Sequence, residues 1–230
     1  MNIAGFQKLT LLDFPGKTAA TLFTPGCNFR CPFCHNAGLV LRTDEAEHYS
    51  EEEVLSYLNK RKGILDGVCI TGGEPLLQKD IAGFMEKLKR LGYKIKLDTN
   101  GSFPEKLREL VSTGLVDYVA MDIKNSKEKY AATVGIDGFD TATIEESVSY
   151  LLSGAVDFEF RTTVVDELHT EEDIEALASW IAGAPRYFLQ NFVDSGDLIG
   201  RGLSAASREK LDSMRKIASR YIDVVEMRGV

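Results

Sequence analysis

The sequence of 230 residues is poor in several features, and each scarcity excludes a class of protein. It has only four cysteines, three of them between Cys27 and Cys34, which excludes a disulfide-stapled secreted scaffold. No run of about 18 apolar residues occurs, so no membrane-spanning helix is expected. The net charge is −8 and no block of Lys and Arg is present. Nucleic acid is therefore not expected as the main partner, because phosphate binding needs a concentrated positive face.

Linkers, repeats and targeting signals are missing as well. The six prolines are scattered, and no Pro/Gly/Ser linker, low-complexity tract or internal repeat occurs. Residues 1–8 lack the basic start and apolar run of a signal peptide, so a cytoplasmic location is expected. The hydrophobic content of 44% and the charged content of 27% are typical of a soluble globular protein. We expect one domain over residues 1–230 with a full hydrophobic core.

Strand and helix patterns alternate along the chain, which predicts an α/β fold of parallel strands with right-handed crossovers. Helix starts are predicted by capping boxes at Ser50–Glu53 and Thr143–Glu146 and by Thr170. Six units are too few for a closed eight-stranded barrel, and periodicity allows a flat doubly wound sheet or a partial open barrel. The predicted strands are Thr18–Phe23, Val68–Thr71, Ile95–Thr99, Val116–Ile123, Phe158–Val164 and Tyr187–Leu189, with residues 222–227 as a further extended segment.

The three clustered cysteines follow the first predicted strand with the spacing C-x3-C-x2-C. Three thiolates on one loop suit a metal ion or an iron–sulfur cluster. A closed zinc site would need a fourth ligand, and only Cys69 or His35 could supply it, neither at the usual paired spacing. Cys69, between Val68 and Ile70, is instead predicted to be a small core residue. A cluster held by three cysteines leaves one iron open for chemistry.

Polar motifs follow the other predicted strands. Because ligands of α/β folds bind at the C-terminal ends of the strands, these motifs predict one shared site. They are Gly72–Pro75, Asp98–Gly101, Asp122–Lys124, Arg161 and the pair Gln190–Asn191. Gly72 and Gly73 allow close approach of a ligand, although a tight turn alone would also explain them. The aspartates have a similar alternative as helix caps or turn residues.

The cysteine segment, with the aromatic Phe33 before the third cysteine, resembles the cluster loop of radical S-adenosylmethionine (SAM) enzymes. Cys34-His35-Asn36 and the segment Leu12–Lys17 resemble the activating enzymes of glycyl radical enzymes. The resemblance is greatest to the activating protein of anaerobic ribonucleoside-triphosphate reductase in its short, single-cluster form, and it covers nearly the whole chain. It implies the partial open (β/α)6 barrel of the radical SAM fold, and no cysteines are present for a second, ferredoxin-like insert.

The resemblance also implies site residues and cofactors. Cys27, Cys31 and Cys34 would hold a [4Fe–4S] cluster. Arg161 would contact the SAM carboxylate, with an ion pair inside the barrel as the alternative. Matching segments of pyruvate formate-lyase activating enzyme also form a monovalent cation site. A family histidine at the end of the sixth strand is replaced here by Gln190 or Asn191. The residues expected around SAM are Phe33, Gly72, Gly73, Glu74, Asp98, Thr99, Asp122, Lys124 and Arg161.

The activity implied by the resemblance is cleavage of SAM to methionine and a 5′-deoxyadenosyl radical, which takes a hydrogen atom from a glycine of a partner enzyme. The expected partner is anaerobic ribonucleoside-triphosphate reductase, and the expected electron donor is a flavodoxin or ferredoxin. The glycine-rich segment Asp194–Gly202 is a partner-contact loop or a plain surface connection. His48 and His169 are predicted to be surface or cap residues. Alternatives are an activase of pyruvate formate-lyase or another glycyl radical enzyme, a small-molecule enzyme such as 7-carboxy-7-deazaguanine synthase, and a zinc- or cluster-binding scaffold.

Overall fold

A computed structural model describes residues 1–44 and 47–229. Eight strands form one sheet in chain order: β1 Gly5–Thr10, β2 Ala19–Thr24, β3 Gly67–Gly72, β4 Lys94–Thr99, β5 Tyr118–Asp122, β6 Asp157–Val164, β7 Tyr187–Asn191 and β8 Val225–Arg228. The helices are α1 Ala37–Leu41, α2 Glu51–Asn59, α3 Ile81–Arg90, α4 Pro104–Ser112, α5 Tyr130–Val134, α6 Ala142–Leu152, α7 Glu171–Trp180 and α8 Arg208–Ala218. The alternation predicted from sequence is confirmed.

The sheet is parallel from β2 to β8, and β1 joins its edge antiparallel to β2. Among the described residues β1 and β8 do not pair, so the sheet stays open, as predicted. The six predicted strands correspond to β2–β7, and the segment 222–227 contains most of β8. Strand β1 was missed because three of its six residues are exposed and its apolar residues do not alternate.

Successive side chains of a strand point to opposite faces of the sheet, one toward the helices and one toward a polar interior. In β6, Phe158, Phe160 and Val164 join the hydrophobic core, whereas Glu159 and Arg161 line a cavity on the opposite face. That cavity is also lined by Leu12, from the β1–β2 connection, and by residues of β4 and β8. The sheet therefore curves, and its two edges approach a common polar interior.

Two of the predicted helix caps are confirmed, and one is wrong. Ser50 caps α2 in a reciprocal capping box with Glu53, and Thr170 caps α7 with Asp173. The predicted box at Thr143 is wrong, because α6 begins at Ala142 and Thr143 lies inside the helix. The residue at the cap position is Thr141. None of the described helices has the length and apolar character needed to cross a lipid bilayer.

Candidate active site

The C-terminal ends of the parallel strands surround a cavity of about 250 Å³. Every residue predicted for the site lines this cavity except Glu74. The predicted residues brought together are Cys27, Cys31, Phe33, Cys34, Gly72, Gly73, Asp98, Thr99, Asp122, Lys124 and Arg161. Sequence positions more than 130 apart thus meet at one rim, because parallel strands all end on the same side.

The cysteine loop is held against the end of β3 by backbone contacts that require glycine. Glu74 N donates to Gly26 O at 2.8 Å, and Gly73 N donates to Thr24 O at 2.8 Å. A Cβ atom on Gly73 would lie 1.9 Å from Gly26 O. Gly72 has a φ of 115°, and a Cβ there would lie 2.4 Å from Thr24 N. The two glycines therefore allow the strand end and the cysteine loop to approach closely, whatever ligand they also contact.

The three cysteine side chains are the soft donors of the cavity. Cys31 is buried, and Cys27 and Cys34 are partly buried. Burial raises the pKa of the Cys31 thiol to about 12, and burial also raises the pKa of Cys27. A metal centre that binds these sulfurs would supply the positive charge that favours the thiolate form. Among the described residues, no three His, Cys, Asp or Glu side chains converge as ligands of one metal ion.

A chain of paired charges crosses the floor of the cavity; Lys96 is buried, and the other four charged residues are partly buried. Arg161 donates from Nε to Asp122 Oδ1 at 2.9 Å and from Nη1 to Asp98 Oδ2 at 3.1 Å. Lys124 Nζ donates to Asp122 Oδ2 at 3.0 Å, and Lys96 Nζ pairs with Asp98 Oδ1. The ion pair considered for Arg161 is therefore present. The charged residues that line the cavity are Asp98, Asp122, Lys124 and Arg161. Lys96 is not among the lining residues and adds a third cation behind Asp98.

The pKa values of the two carboxyls follow from this pairing. Burial would raise the pKa of Asp122, but Arg161 and Lys124 outweigh burial and hold the pKa at about 2. Arg161 and Lys96 likewise hold the pKa of Asp98 below its usual value, although burial alone would raise it. All four carboxylate oxygens already receive hydrogen bonds from side-chain cations. The expected monovalent cation therefore finds no support in the positions of Asp98 and Asp122.

Glu74 does not line the cavity but forms hydrogen bonds with residues next to it. Its carboxylate is fully buried and accepts hydrogen bonds from Leu76 N at 3.0 Å, Thr99 Oγ1 at 2.8 Å and Asn100 N at 2.7 Å. Burial raises the pKa of this carboxyl to about 7. Glu74 thereby ties the end of β3 to the end of β4. Its predicted contact with SAM stays a prediction.

Other residues were placed differently, or missed, by sequence reasoning. His169 is buried and not at the surface: Val165 N donates to its Nδ1 at 3.1 Å, so its Nε2 donates to Lys124 O at 2.8 Å. His48 is exposed, as predicted. Gln190 lines the cavity, whereas Asn191 exchanges hydrogen bonds with the backbone of Ala206. Cys69 is fully buried, as predicted.

Two participants were missed although the sequence carried a signal for each. Lys96 shares a strand face with Asp98 by the alternation of β4, and it is almost completely buried there. Its Nζ lies 3.9 Å from Cys69 Sγ. Asn100 lines the cavity within the segment Asp98–Gly101, beside residues that were predicted. Its distance to the cysteine loop depends on tertiary packing, which the sequence pattern does not show.

Comparison with known proteins assigns this geometry to a family. The sequence profile of the Radical SAM superfamily matches residues 21–181. A protein of Methanocaldococcus jannaschii, provisionally named a glycyl-radical enzyme activating enzyme, is 34% identical over 234 residues, which cover 99% of this chain and 96% of the relative. A protein of Thermococcus kodakarensis, provisionally named a GTP 3′,8-cyclase, is 33% identical over 147 residues, which cover 61% of this chain and 48% of the relative.

Solved structures show the same fold at low sequence identity. A domain of pyruvate-formate lyase-activating enzyme from Bacteroides vulgatus has a TM-score of 0.59 and 17% identity, covering 71% of this chain and 99% of that chain. Streptococcus suis SuiB bound to its precursor peptide SuiA has a TM-score of 0.67 and 15% identity, covering 90% of this chain and 47% of that chain. Because the profile covers most of the sequence and the M. jannaschii relative nearly all of it, this chain belongs to the radical SAM superfamily and is a radical SAM enzyme.

Proposed function

We propose that this protein activates a glycyl radical enzyme, with anaerobic ribonucleoside-triphosphate reductase as the expected partner. The observation that carries the proposal is the three-cysteine loop beside the cavity, in a chain that matches a provisionally named activating enzyme over nearly its full length. The residues Cys34-His35-Asn36 and Leu12–Lys17 favour this activity over other radical SAM reactions.

The donor set fits a [4Fe–4S] cluster held by Cys27, Cys31 and Cys34. All three sulfur-bearing residues line one cavity, and Cys69 is not among the lining residues. Three cysteine ligands would leave one iron of such a cluster without a protein ligand. A cluster held by these residues would supply the electron that cleaves SAM to methionine and a 5′-deoxyadenosyl radical, and that radical would abstract a hydrogen atom from the target glycine.

The role of the protein side chains is to bind and orient SAM. Arg161 and Lys124 are the cations that line the cavity, and they are proposed to face the SAM carboxylate. The Lys124 ammonium carries protons beyond the one given to Asp122. Asn36 Nδ2 donates to Gly72 O at 2.8 Å and so fixes the backbone at the proposed methionine end of SAM. Thr99, Phe33 and Gln190 complete the walls that are proposed to contact SAM.

The open edge of the sheet suits a protein substrate, because a glycine loop can reach the cavity from the side. The peptide-bound SuiB structure has the same fold, which supports access for a polypeptide. We place the protein in the cytoplasm, with a flavodoxin or a ferredoxin as electron donor. Residues 194–202, which follow β7 on the cavity side, are proposed to contact the partner.

Electron paramagnetic resonance tests the proposal directly. The reconstituted, reduced protein is mixed with SAM and an anaerobic ribonucleoside-triphosphate reductase. We expect a glycyl radical doublet on the reductase, absent with Cys31→Ala and retained with Cys69→Ala, the matched cysteine outside the loop. Cleavage of SAM without a doublet on this reductase would refute the partner, and pyruvate formate-lyase would be tested next. Zinc without iron or sulfide would refute the reaction class.

A radical SAM enzyme acting on a small molecule is the second candidate. The partial match to a protein provisionally named a GTP 3′,8-cyclase favours it, as does the similar length of 7-carboxy-7-deazaguanine synthases. The two candidates differ in what SAM cleavage requires. Cleavage that is stimulated by a purine or pterin-like compound in the absence of any partner protein would favour this second candidate.

A further inference from the structure

The side-chain amide of Asn100 lies beside Cys27, and its other contacts fix which way it points. Asn100 Oδ1 accepts hydrogen bonds from Ser102 N at 3.0 Å and from Ser102 Oγ at 2.6 Å. A backbone N–H can only donate, so this end of the amide must be the oxygen. The Nδ2 group therefore faces Asn28 Oδ1 at 2.9 Å and Cys27 Sγ at 3.8 Å.

Two N–H groups thus approach one of the three sulfurs. Phe29 N donates to Cys27 Sγ at 3.4 Å, within the cysteine loop itself. Asn100 adds a second donor from a different strand end, across the cavity wall. The backbone donor is a consequence of the loop conformation, whereas the Asn100 donor depends on a side chain that substitution can remove. This difference makes the contribution of Asn100 measurable by itself.

The Asn100 donor is held rigidly. Its own backbone N–H binds the buried carboxylate of Glu74 at 2.7 Å, and Asn28 Nδ2 donates to Ser102 Oγ at 2.9 Å. Asn28, Asn100 and Ser102 therefore form a closed set of hydrogen bonds at the edge of the cavity. A buried polar network that is satisfied in this way keeps its donors in one orientation.

We propose that Asn100 is a positioning residue that raises the reduction potential of the cluster through its hydrogen bond to the Cys27 sulfur. The inference rests on the proposed cluster at Cys27, Cys31 and Cys34. Reduction adds negative charge to a cluster and its thiolates, so an N–H donor stabilises the reduced form more than the oxidised form. Hydrogen bonds to ligand sulfurs are an established determinant of cluster potentials.

The test is a redox titration of the anaerobically reconstituted protein without SAM or partner. The reduced cluster is detected by electron paramagnetic resonance at each potential. Asn100→Leu keeps the size of the side chain and removes the donor, and Asn100→Asp replaces the donor by a carboxylate. We expect the potential to fall from wild type to Asn100→Leu and again to Asn100→Asp. A change of about tenfold in the reduction equilibrium for Asn100→Leu corresponds to about 59 mV for a one-electron couple.

Two control variants distinguish the effect of the Asn100 amide on the potential from the effects of a changed cavity wall and of a changed loop conformation. Asn36→Leu removes another cavity amide, one that donates to Gly72 O and not to sulfur, and it should leave the potential within about twofold of the wild-type equilibrium whatever happens to SAM binding. Ser102→Ala removes one donor to Asn100 Oδ1 but keeps the backbone N–H, so its shift should be smaller than that of Asn100→Leu.

Iron and acid-labile sulfide are measured on each variant before the titration. An Asn100→Leu protein with a full cluster and an unchanged potential would overturn the inference and leave the proposed function intact. A Ser102→Ala shift as large as that of Asn100→Leu would also overturn it, because the effect would then belong to the loop conformation. If the wild-type protein binds no iron and sulfide, the proposed function itself fails.

Discussion

Arg161 is the side chain on which the charge balance of the cavity depends. It bridges Asp98 and Asp122, each of which retains only a lysine when the guanidinium is lost. Removing Arg161 would leave one carboxylate oxygen of Asp98 and one of Asp122 without a hydrogen-bond donor, and an unpaired acceptor away from water costs free energy. The Arg–carboxylate geometry also gives two directed hydrogen bonds that a lysine cannot reproduce at both aspartates.

Arg161→Met is therefore expected to lower the free energy of unfolding by roughly 3–5 kcal/mol, measured by anaerobic urea denaturation at neutral pH. Arg161→Lys should lose less, because it keeps the charge and one of the two contacts. The exposed pair of Arg208 and Asp212 on α8 is the control, and Arg208→Met should cost at most about 1 kcal/mol. Equal losses for Arg161→Met and Arg208→Met would contradict the buried-network account.

His169 gives the cavity a pH-dependent support. It holds Lys124 O, and its ring packs edge-on against Phe33 at a centroid distance of 6.4 Å. Burial lowers the pKa of His169 below 6.5, so the folded state binds fewer protons than the unfolded state just below that pH. The stability that neutral His169 contributes is therefore present above about pH 6.5 and is lost as the pH falls below it.

The change in unfolding free energy between about pH 7 and pH 5 should consequently be steeper in wild type than in His169→Gln, by at most about 1.4 kcal/mol per pH unit. The two proteins must be compared with each other, because Glu74 also changes the stability over this pH range. Its raised pKa gives a pH dependence opposite in sign to that of His169, and this contribution is the same in both proteins. His35, whose pKa burial also lowers, acts in the same direction and is common to both proteins. Parallel pH profiles would contradict this role of His169.

Among single residues, the sequence identified as site residues those side chains whose chemistry is unusual for their position. The three cysteines, Arg161 and the two aspartates are conspicuous because each departs from an apolar pattern or repeats at short spacing. The roles of Glu74 and Asn100 depend on contacts with residues from other parts of the chain, and the role of Lys96 depends on its burial beside Cys69. A pattern along the chain does not indicate which carboxylate will accept two backbone N–H groups of neighbouring loops.

The side-chain hydrogen bonds at the first turn determine where α2 begins as the sequence pattern predicts, but they place the start of α6 elsewhere. The Ser50–Glu53 box closes α2 reciprocally, with Glu53 N bound to Ser50 Oγ and Ser50 N bound to Glu53. Thr143–Glu146 has the same sequence signature, yet α6 begins before it. Asp140 Oδ1 accepts from Ala142 N at 3.0 Å, and Thr141 Oγ1 donates to Glu145 at 2.9 Å. Asp140 and Thr141 lie three and two residues before Thr143, and these hydrogen bonds place the start of α6 earlier.

Ser50→Ala is expected to destabilise the protein by about 1 kcal/mol, because it leaves a helix N–H without its side-chain acceptor. Thr143→Ala should be neutral or stabilising by up to about 0.5 kcal/mol, because Ala is the better residue inside a helix. Thermal unfolding of the two variants under the same conditions gives the comparison. A loss for Thr143→Ala equal to that for Ser50→Ala would restore the capping role that the sequence pattern had suggested.

The central strands of the sheet were predicted better than its edge strand. Strands β2–β7 are buried on the face that packs on helices, so their apolar residues stand out in the sequence. Strand β1 has its only tightly buried residue at Thr10, and its pairing with β2 is interrupted by a register shift after Gln7. An edge strand of this kind is determined by the neighbour with which it pairs. The sequence therefore specifies the central sheet more clearly than its boundary.

At the scale of the whole molecule, the loop after β7 connects one end of the rim to the other. Gly200 N donates to Pro32 O at 2.7 Å, and Pro32 lies between two cysteines of the proposed cluster loop. A Cβ atom on Gly200 would lie 2.5 Å from Pro32 Cβ. Arg42 Nη2, at the end of α1, pairs with Asp197 Oδ2 at 2.6 Å and ties the same loop to α1.

Gly200→Ala is therefore expected to push the post-β7 loop away from the cysteine loop and to expose the proposed cluster to solvent. Exposure speeds oxidative loss, so the absorbance of the reconstituted cluster should decay several-fold faster in air than in wild type. Gly83→Ala in α3 is the matched control, because a Cβ there meets nothing within 4 Å. Gly200 does not have a positive φ, so a faster decay in Gly200→Ala alone would come from the lost contact and not from backbone strain. Equal decay rates in the two variants and wild type would show that the loop does not shield the cluster, and residues 194–202 would then be left with partner contact as their proposed role.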